Sequence, residues 1–194
     1  MKKKIALIIG HPDQESYCFA LADAYKQGAK SSGAEIKEIV IRDLDFNPNL
    51  QFGYRKRTEL EPDLLASQET LKWADHLVWI YPVWWGSTPA ILKGFLDRVL
   101  LPGFAFQKRE GSVWWDKFFT GKTSRLIYTM DQPTWYYKLV YGEPSTKSMK
   151  KLTMNFIGVK SVKKTPIGPI RLSKDEFRKK WLSKVEAIGT RDSK

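Results

Sequence analysis

The sequence predicts an α/β fold: one three-layer domain over residues 1–194, built on a parallel, doubly wound sheet of five strands. Three observations carry this expectation. The runs "KIALIIG" and "HLVWIYP" are continuously apolar and end in glycine or proline, the pattern of strands covered on both faces. Helix-period segments fall between successive strand runs, an alternation that produces parallel pairing with crossover helices. Finally, 42% hydrophobic and 28% charged residues over 194 positions is a globular composition of a size suited to one domain. No repeat, low-complexity tract or linker divides the chain.

The elements follow in order. After the first strand, Ser16 stands where a helix cap belongs. Phe19, Ala20, Ala22, Ala24 and Tyr25 give that helix an apolar side, and Gly28 and Gly33 mark its fraying end. "EIKEIVIRDL" alternates Ile36, Ile39 and Ile41 with polar residues, as a strand nearer the sheet edge does. A polar loop from Asp43 to Glu61 precedes a helix from about Pro62 to Ala74. The His76–Pro82 run is the third strand, and His76 opens it. Thr88 caps the next helix with Pro89 as its first residue, and Ile91, Leu92, Phe95, Leu96 and Val99 face inward. Residues 102–121 read as a long aromatic-rich loop, and "TSRLIYTM" as the fourth strand. "DQPTWYYKLVYGEP" reads as irregular, followed by a helix from about Ser145 to Phe156 closed by Gly158. "VKSVKKTPIG" is a short fifth strand. Ser173 with Glu176 forms a capping box for a last helix that ends near Gly189.

Composition removes several classes of function. The single cysteine, Cys18, excludes an internal disulfide and fits a reducing compartment. The apolar run behind the first lysines is too short for a signal sequence, and no stretch approaches the ~20 residues of a membrane span. The expected location is cytoplasmic. The formal charge of +12 raises the question of nucleic acid, but no zinc-finger spacing or RNA-binding motif accompanies it. A basic surface that draws anionic small molecules is the preferred reading. With two histidines and one cysteine, no metal cluster is expected.

Ligands of such sheets bind beyond the carboxyl ends of the strands, where strand order reverses. Three loops belong there: residues 10–16, 82–88 and 130–137. The first lacks the G-x-G-x-x-G fingerprint and the P-loop lysine, which excludes a dinucleotide turn and a triphosphate site. It still presents backbone N–H groups near Ser16, Tyr17 and Cys18 at a helix N-terminus, a place for one phosphate beside His11. Ser16 read by itself is an ordinary N-cap. Trp84, Trp85 and Gly86 in the second loop offer aromatic faces and backbone N–H groups, which suits a planar ring system with polar edges.

Taken together, "GHPDQES", the element Asp43-Leu44-x-Phe46-x-Pro48, the stretch "YPVWWGSTPAILKGFLDRVLLPGFAF" and a following Gly-Lys resemble the flavodoxin-like NAD(P)H:quinone oxidoreductase family. The resemblance is strong over about residues 4–130 and weaker beyond. It implies strand order 2-1-3-4-5, a homodimer, a bound flavin, and two-electron reduction of quinones by NADPH or NADH in a ping-pong cycle. Carried over, His11, Ser16, Tyr17 and Cys18 would hold the flavin phosphate and ribityl region. Pro82, Val83, Trp84, Trp85 and Gly86 would line the ring, and Gln68 matches a further flavin-site position. The family's Thr-Gly-Gly-like third loop is here Thr129, Met130 and Asp131, followed by Gln132 and Pro133. The asparagine common in the family is Cys18 here. The histidine that some members use as proton partner has no match; Trp135, Tyr136 and Tyr137 are the available substitutes, and with Trp85 they would wall the reaction site, with Trp85, Tyr136 and Tyr137 as its catalytic residues.

FMN is the expected flavin because no adenine site is evident; FAD is the alternative. The acceptor is a small quinone-like electrophile. A one-electron carrier of flavodoxin type and a flavin-dependent regulatory subunit of a transport system are the two rival readings. The dimer contact is expected on Trp114, Trp115 and Phe118. Gly86 stands where the family often has a bulky aromatic, and either widens the acceptor space or relieves strain in a turn.

Overall fold

Apolar residues point both ways from the central strands, and the fold covers both sides. In the computed structural model, which describes residues 2–194, Ile5, Leu7 and Ile9 face one helical layer while Ala6 and Ile8 face the other. The chain runs β1 (Lys4–Ile9), α1 (Tyr17–Ser31), β2 (Glu35–Val40), α2 (Pro62–Trp73), β3 (His76–Pro82) and α3 (Ala90–Val99). A small hairpin follows, β4 (Phe106–Lys108) and β5 (Trp115–Lys117), then β6 (Thr123–Thr129), α4 (Thr134–Leu139) and α5 (Pro144–Lys147). A π-helical stretch, Ser148–Met154, leads through α6 (Asn155–Ile157) to β7 (Ser161–Ile167) and α7 (Asp175–Asp192).

The five-stranded sheet has order β2-β1-β3-β6-β7 and is parallel throughout. Counted without the hairpin, this is the expected 2-1-3-4-5. β2 lies at the edge, and β3 is buried along its whole length. The order reverses between β1 and β3, so the loops that leave their carboxyl ends border a crevice.

α1 and α7 form one layer against Val78, Ile80 and Ile127. They approach until backbone nearly meets backbone. A Cβ at Gly28 would stand 1.9 Å from the Glu186 carbonyl oxygen, and one at Gly189 would stand 2.2 Å from that of Tyr25. Gly28 is therefore a packing position inside α1 and not its fraying end, and α7 continues through Gly189 to Asp192. Asp192 is buried under the sheet. Arg125 bonds its carboxylate through Nε and, at 2.8 Å, through Nη2, while His76 Nε2 lies 3.5 Å away.

α2, α3 and the 144–157 helical stretch cover the opposite face, around Trp79, Tyr81 and Tyr128. The motif residues of α3 hold the 44–61 loop. A Cβ at Gly94 would meet Pro48 Cβ at 2.5 Å, Phe46 packs edge-on to Phe95, and buried Arg98 bonds Glu61 at 2.7 Å. These residues shape the fold; they do not touch the crevice.

Several local expectations are corrected. Residues 102–121 are not a plain loop, because β4 pairs with β5 and Trp115 stacks on Phe156 at 4.5 Å. Trp115 is thus a packed residue, while Trp114 and Phe118 remain exposed. Residues 134–139 form a helical turn. Pro89 sits at the cap position of α3, one residue later than expected, and Thr88 does not cap it. Ser173 does not cap α7: its hydroxyl bonds the Ile170 carbonyl at 2.6 Å and accepts from Arg178 Nε.

Candidate active site

The loop after β1 turns sharply into α1. Gly10 N–H bonds the Ile80 carbonyl, and His11 Nδ1 accepts from Asp13 N–H at 3.0 Å. Burial lowers the His11 pKa, with Asp13 offsetting part of the effect, so the ring is neutral at physiological pH. With Nδ1 accepting, the proton of that neutral ring sits on Nε2.

Ser16 occupies the cap position of α1, yet its hydroxyl makes no capping bond. Its Oγ is buried without a partner. The first-turn amides of Tyr17 and Cys18 have no carbonyl ahead of them to bond, and no acidic side chain occupies that turn. An orphaned hydroxyl, free amides and the positive end of a helix dipole share one spot, a cradle for an anionic oxygen. The plain N-cap reading of Ser16 fails because the cap bond is not made.

Cys18 is not a nucleophile. Burial pushes its thiol up to about 12, and its Sγ lies 3.6 Å from Thr129 Oγ1. The Tyr17 hydroxyl donates to the Arg178 carbonyl at 2.7 Å, pinning the start of α1 to α7.

After β3 the chain makes a two-residue hairpin. Trp84 and Ser87 exchange both backbone bonds, at 3.0 and 2.8 Å. Trp85 and Gly86, with φ of 51° and 72°, occupy the central positions of this turn. A positive φ is rare for a bulky side chain, and the turn presents the Trp85 indole fully to solvent. Trp84 packs edge-on to His11, with ring centres 5.4 Å apart. The amides of Val83 and Trp84 are consumed, by the Thr129 carbonyl and by Ser87, so Trp85 and Gly86 carry the available donors. The Met130 amide of the third loop is likewise taken, by Ile167. Gly86 needs its conformation for the turn itself, and a Cβ there would also approach Pro144 Cγ at 3.3 Å.

These loops enclose a cavity of about 950 Å³. His11, Ser16, Tyr17, Cys18, Pro82, Val83, Trp84, Trp85, Gly86, Thr129, Met130, Asp131 and Tyr137 all line it, as the sequence leads one to expect. Three expected residues do not. Gln68 donates to the Val99 carbonyl at 2.9 Å and borders a different cavity, beside Tyr54 and Leu101. Tyr136 packs edge-on to Tyr141 and to exposed Trp135, and neither Trp135 nor Tyr136 lines the cavity. Tyr137 reaches the site, but it is buried and its hydroxyl accepts the Ser145 N–H, so it braces the wall. Sequence reasoning missed Val140, Tyr141, Pro144 and Ile170, which also line the cavity. The apolar triplet Leu139-Val140-Tyr141, exposed beside a Gly-x-Pro turn, was the one local signal for the first three of these. No group of metal-binding side chains occurs among the described residues.

A family model described as a flavodoxin-like fold matches residues 3–188. The chain belongs to the flavodoxin-like fold family. Its relatives bear out the quinone oxidoreductase resemblance within that family. A Haemophilus influenzae protein named as an uncharacterized NAD(P)H oxidoreductase is 28% identical, over 91% of this chain and 89% of its own. NAD(P)H dehydrogenase [quinone] 1 of Rattus norvegicus is 29% identical over 54% of this chain, a match that spans only 45% of the rat protein. Among solved structures, Smu.1420 from Streptococcus mutans UA159 superposes with a TM-score of 0.84 at 30% identity, covering 96% of this chain and 98% of its own. In this flavodoxin-like chain, the cavity lies where the fold places its ligands.

Proposed function

We propose that the protein is a flavin-dependent NAD(P)H oxidoreductase that reduces quinones or related electrophiles by two-electron transfer. The observation that carries this reading is the unpartnered Ser16 hydroxyl at the start of α1, across one cavity from the Trp84–Gly86 hairpin. The cradle fits a single phosphate, and the hairpin supplies flat aromatic surface with two backbone donors for a polar ring edge. FMN is accordingly the first choice of flavin. Ser16, Tyr17, Cys18 and neutral His11 would hold the phosphate and ribityl end, and Trp84, Trp85 and Gly86 the ring. Bound there, a flavin supplies the hydride chemistry; the chain supplies orientation and water exclusion.

NADPH or NADH is the donor, and a net charge of +12 favours such phosphate-bearing partners. The same charge disfavours a one-electron carrier that docks on basic proteins. No helix among the described residues is long and apolar enough to cross a membrane. We assign the protein to the cytoplasm, acting as a homodimer through the exposed Val113, Trp114 and Phe118 surface, since exposed aromatic clusters favour a covering partner.

Steady NADPH oxidation with a quinone and no partner protein is the expected behaviour. Turnover that requires a second protein would overturn the enzyme reading in favour of a carrier or regulatory subunit. Ser16→Ala gives a sharper readout. Loss of a hydrogen bond to a charged group is worth about 1.5 kcal/mol, so the FMN Kd should rise about tenfold. The unfolding midpoint should not fall, because the hydroxyl bonds no other group of the chain. An unchanged Kd by fluorescence titration would remove Ser16 from the site.

A further inference from the structure

Two non-glycine residues among those described have positive φ: Trp85 at 51° and Glu143 at 56°. Trp85 lines the cavity, and so does Pro144, the residue that follows Glu143. Their neighbours Gly86 and Pro144 come close enough that a Cβ on Gly86 would lie 3.3 Å from Pro144 Cγ. One rim of the cavity is thus made by two strained corners set against each other, and strain of this kind persists only where the surroundings hold it.

Glu143 is held by Lys164. The ammonium group, projecting from β7, sits 2.5 and 2.6 Å from the two carboxylate oxygens. The carboxylate side chain is 18% exposed and the lysine 36%, so the bridge is sheltered only at its glutamate end. Glu143 N–H bonds the Tyr137 carbonyl at 3.1 Å, and its carbonyl accepts from Lys147 N–H at 2.9 Å, which sets the direction of the Tyr141–Pro144 corner. The corner has independent anchors in the sheet: Thr146 bonds the Tyr128 hydroxyl at 2.7 Å, and Ser145 N–H bonds that of Tyr137. These anchors hold the segment without Lys164, whose bonds go to the Glu143 carboxylate alone.

We propose that Lys164, which lies outside the cavity, is a positioning residue that sets acceptor size: through Glu143 it holds the Tyr141–Pro144 corner against the Trp85–Gly86 hairpin, shaping the rim for broad, planar quinones. The inference rests on the quinone-reductase reading. Lys164→Met, Lys164→Arg and the parent protein are compared with one-ring and three-ring quinones, alongside flavin content and unfolding midpoint. Lys164→Met should raise KM for the three-ring quinone about fivefold, leaving kcat, the one-ring KM and flavin content unchanged, and Lys164→Arg should restore most of the loss. An unchanged ratio of the two KM values overturns the proposal, as does loss of the folded state in Lys164→Met, because the remaining anchors are required to suffice. Absence of quinone turnover in the parent protein is a different failure: it removes the enzyme reading, and this inference with it.

Discussion

Gly28→Ala is expected to destabilise the protein by about 3 kcal/mol or more, the upper end of what overpacking costs. The added methyl would be placed 1.9 Å from the Glu186 carbonyl oxygen, and the obstacle is backbone, which cannot rotate away. α1 and α7 must separate, opening the layer that covers Ile5, Leu7 and Val78. Gly189→Ala should behave alike, since its methyl meets the Tyr25 carbonyl at 2.2 Å. Because both substitutions relieve or spoil the same contact, their effects should not add. Urea unfolding measures this; a loss below about 1 kcal/mol in both would show that the helices are not in such contact. Ser16 directly precedes α1, so ligand affinity should weaken with the packing.

Asp192→Ala should cost about 3–5 kcal/mol, the usual penalty for stripping one partner from a buried ion pair. Arg125 would be left buried beneath the sheet with its charge uncompensated. Burial alone would push the Asp192 carboxyl up, but the hydrogen bonds and charge of Arg125, with the His76 ring alongside, outweigh it and hold the group well below the usual carboxylate range. The pH dependence has a definite sign. A depressed carboxylate pKa contributes stability that is fully present above its unfolded value, about 3.9, and drains away as pH falls toward the folded value. The stability gap between parent and Asp192→Asn should therefore be constant from pH 6 to 8 and narrow below about pH 4. A gap that widens with acid would contradict the assignment.

Most of the sheet was legible because its strands are buried on both faces, and continuous apolar runs such as Leu77–Tyr81 have few other uses. Its companions depended on distant partners. The strands β4 and β5 are three residues each, and Trp115 is fixed by Phe156, some forty positions along the chain. Gly28 resembles a helix end until α7 is laid across it, and the Ser173 hydroxyl is diverted by Arg178. At the site, three loops were placed correctly because parallel topology sends them to one edge of the sheet. Ile170 comes from beyond β7 and leaves no local pattern, whereas Val140 and Tyr141 had only the exposed apolar triplet Leu139–Tyr141 as their signal. Gln68 matched by spacing alone, and its side chain is spent on the Val99 carbonyl. The positive φ of Trp85 has no sequence signal beyond the glycine after it.

The central claim is that the cavity between Ser16 and the Trp84–Trp85 hairpin binds flavin. It is tested most directly by titrating flavin-free protein with FMN while following tryptophan emission and the flavin absorbance band. The account predicts saturable quenching at one FMN per chain, with the quenching diminished in Trp84→Leu and the affinity lowered in Ser16→Ala. No quenching, no shift of the flavin band and no yellow protein after incubation with either FMN or FAD would contradict it.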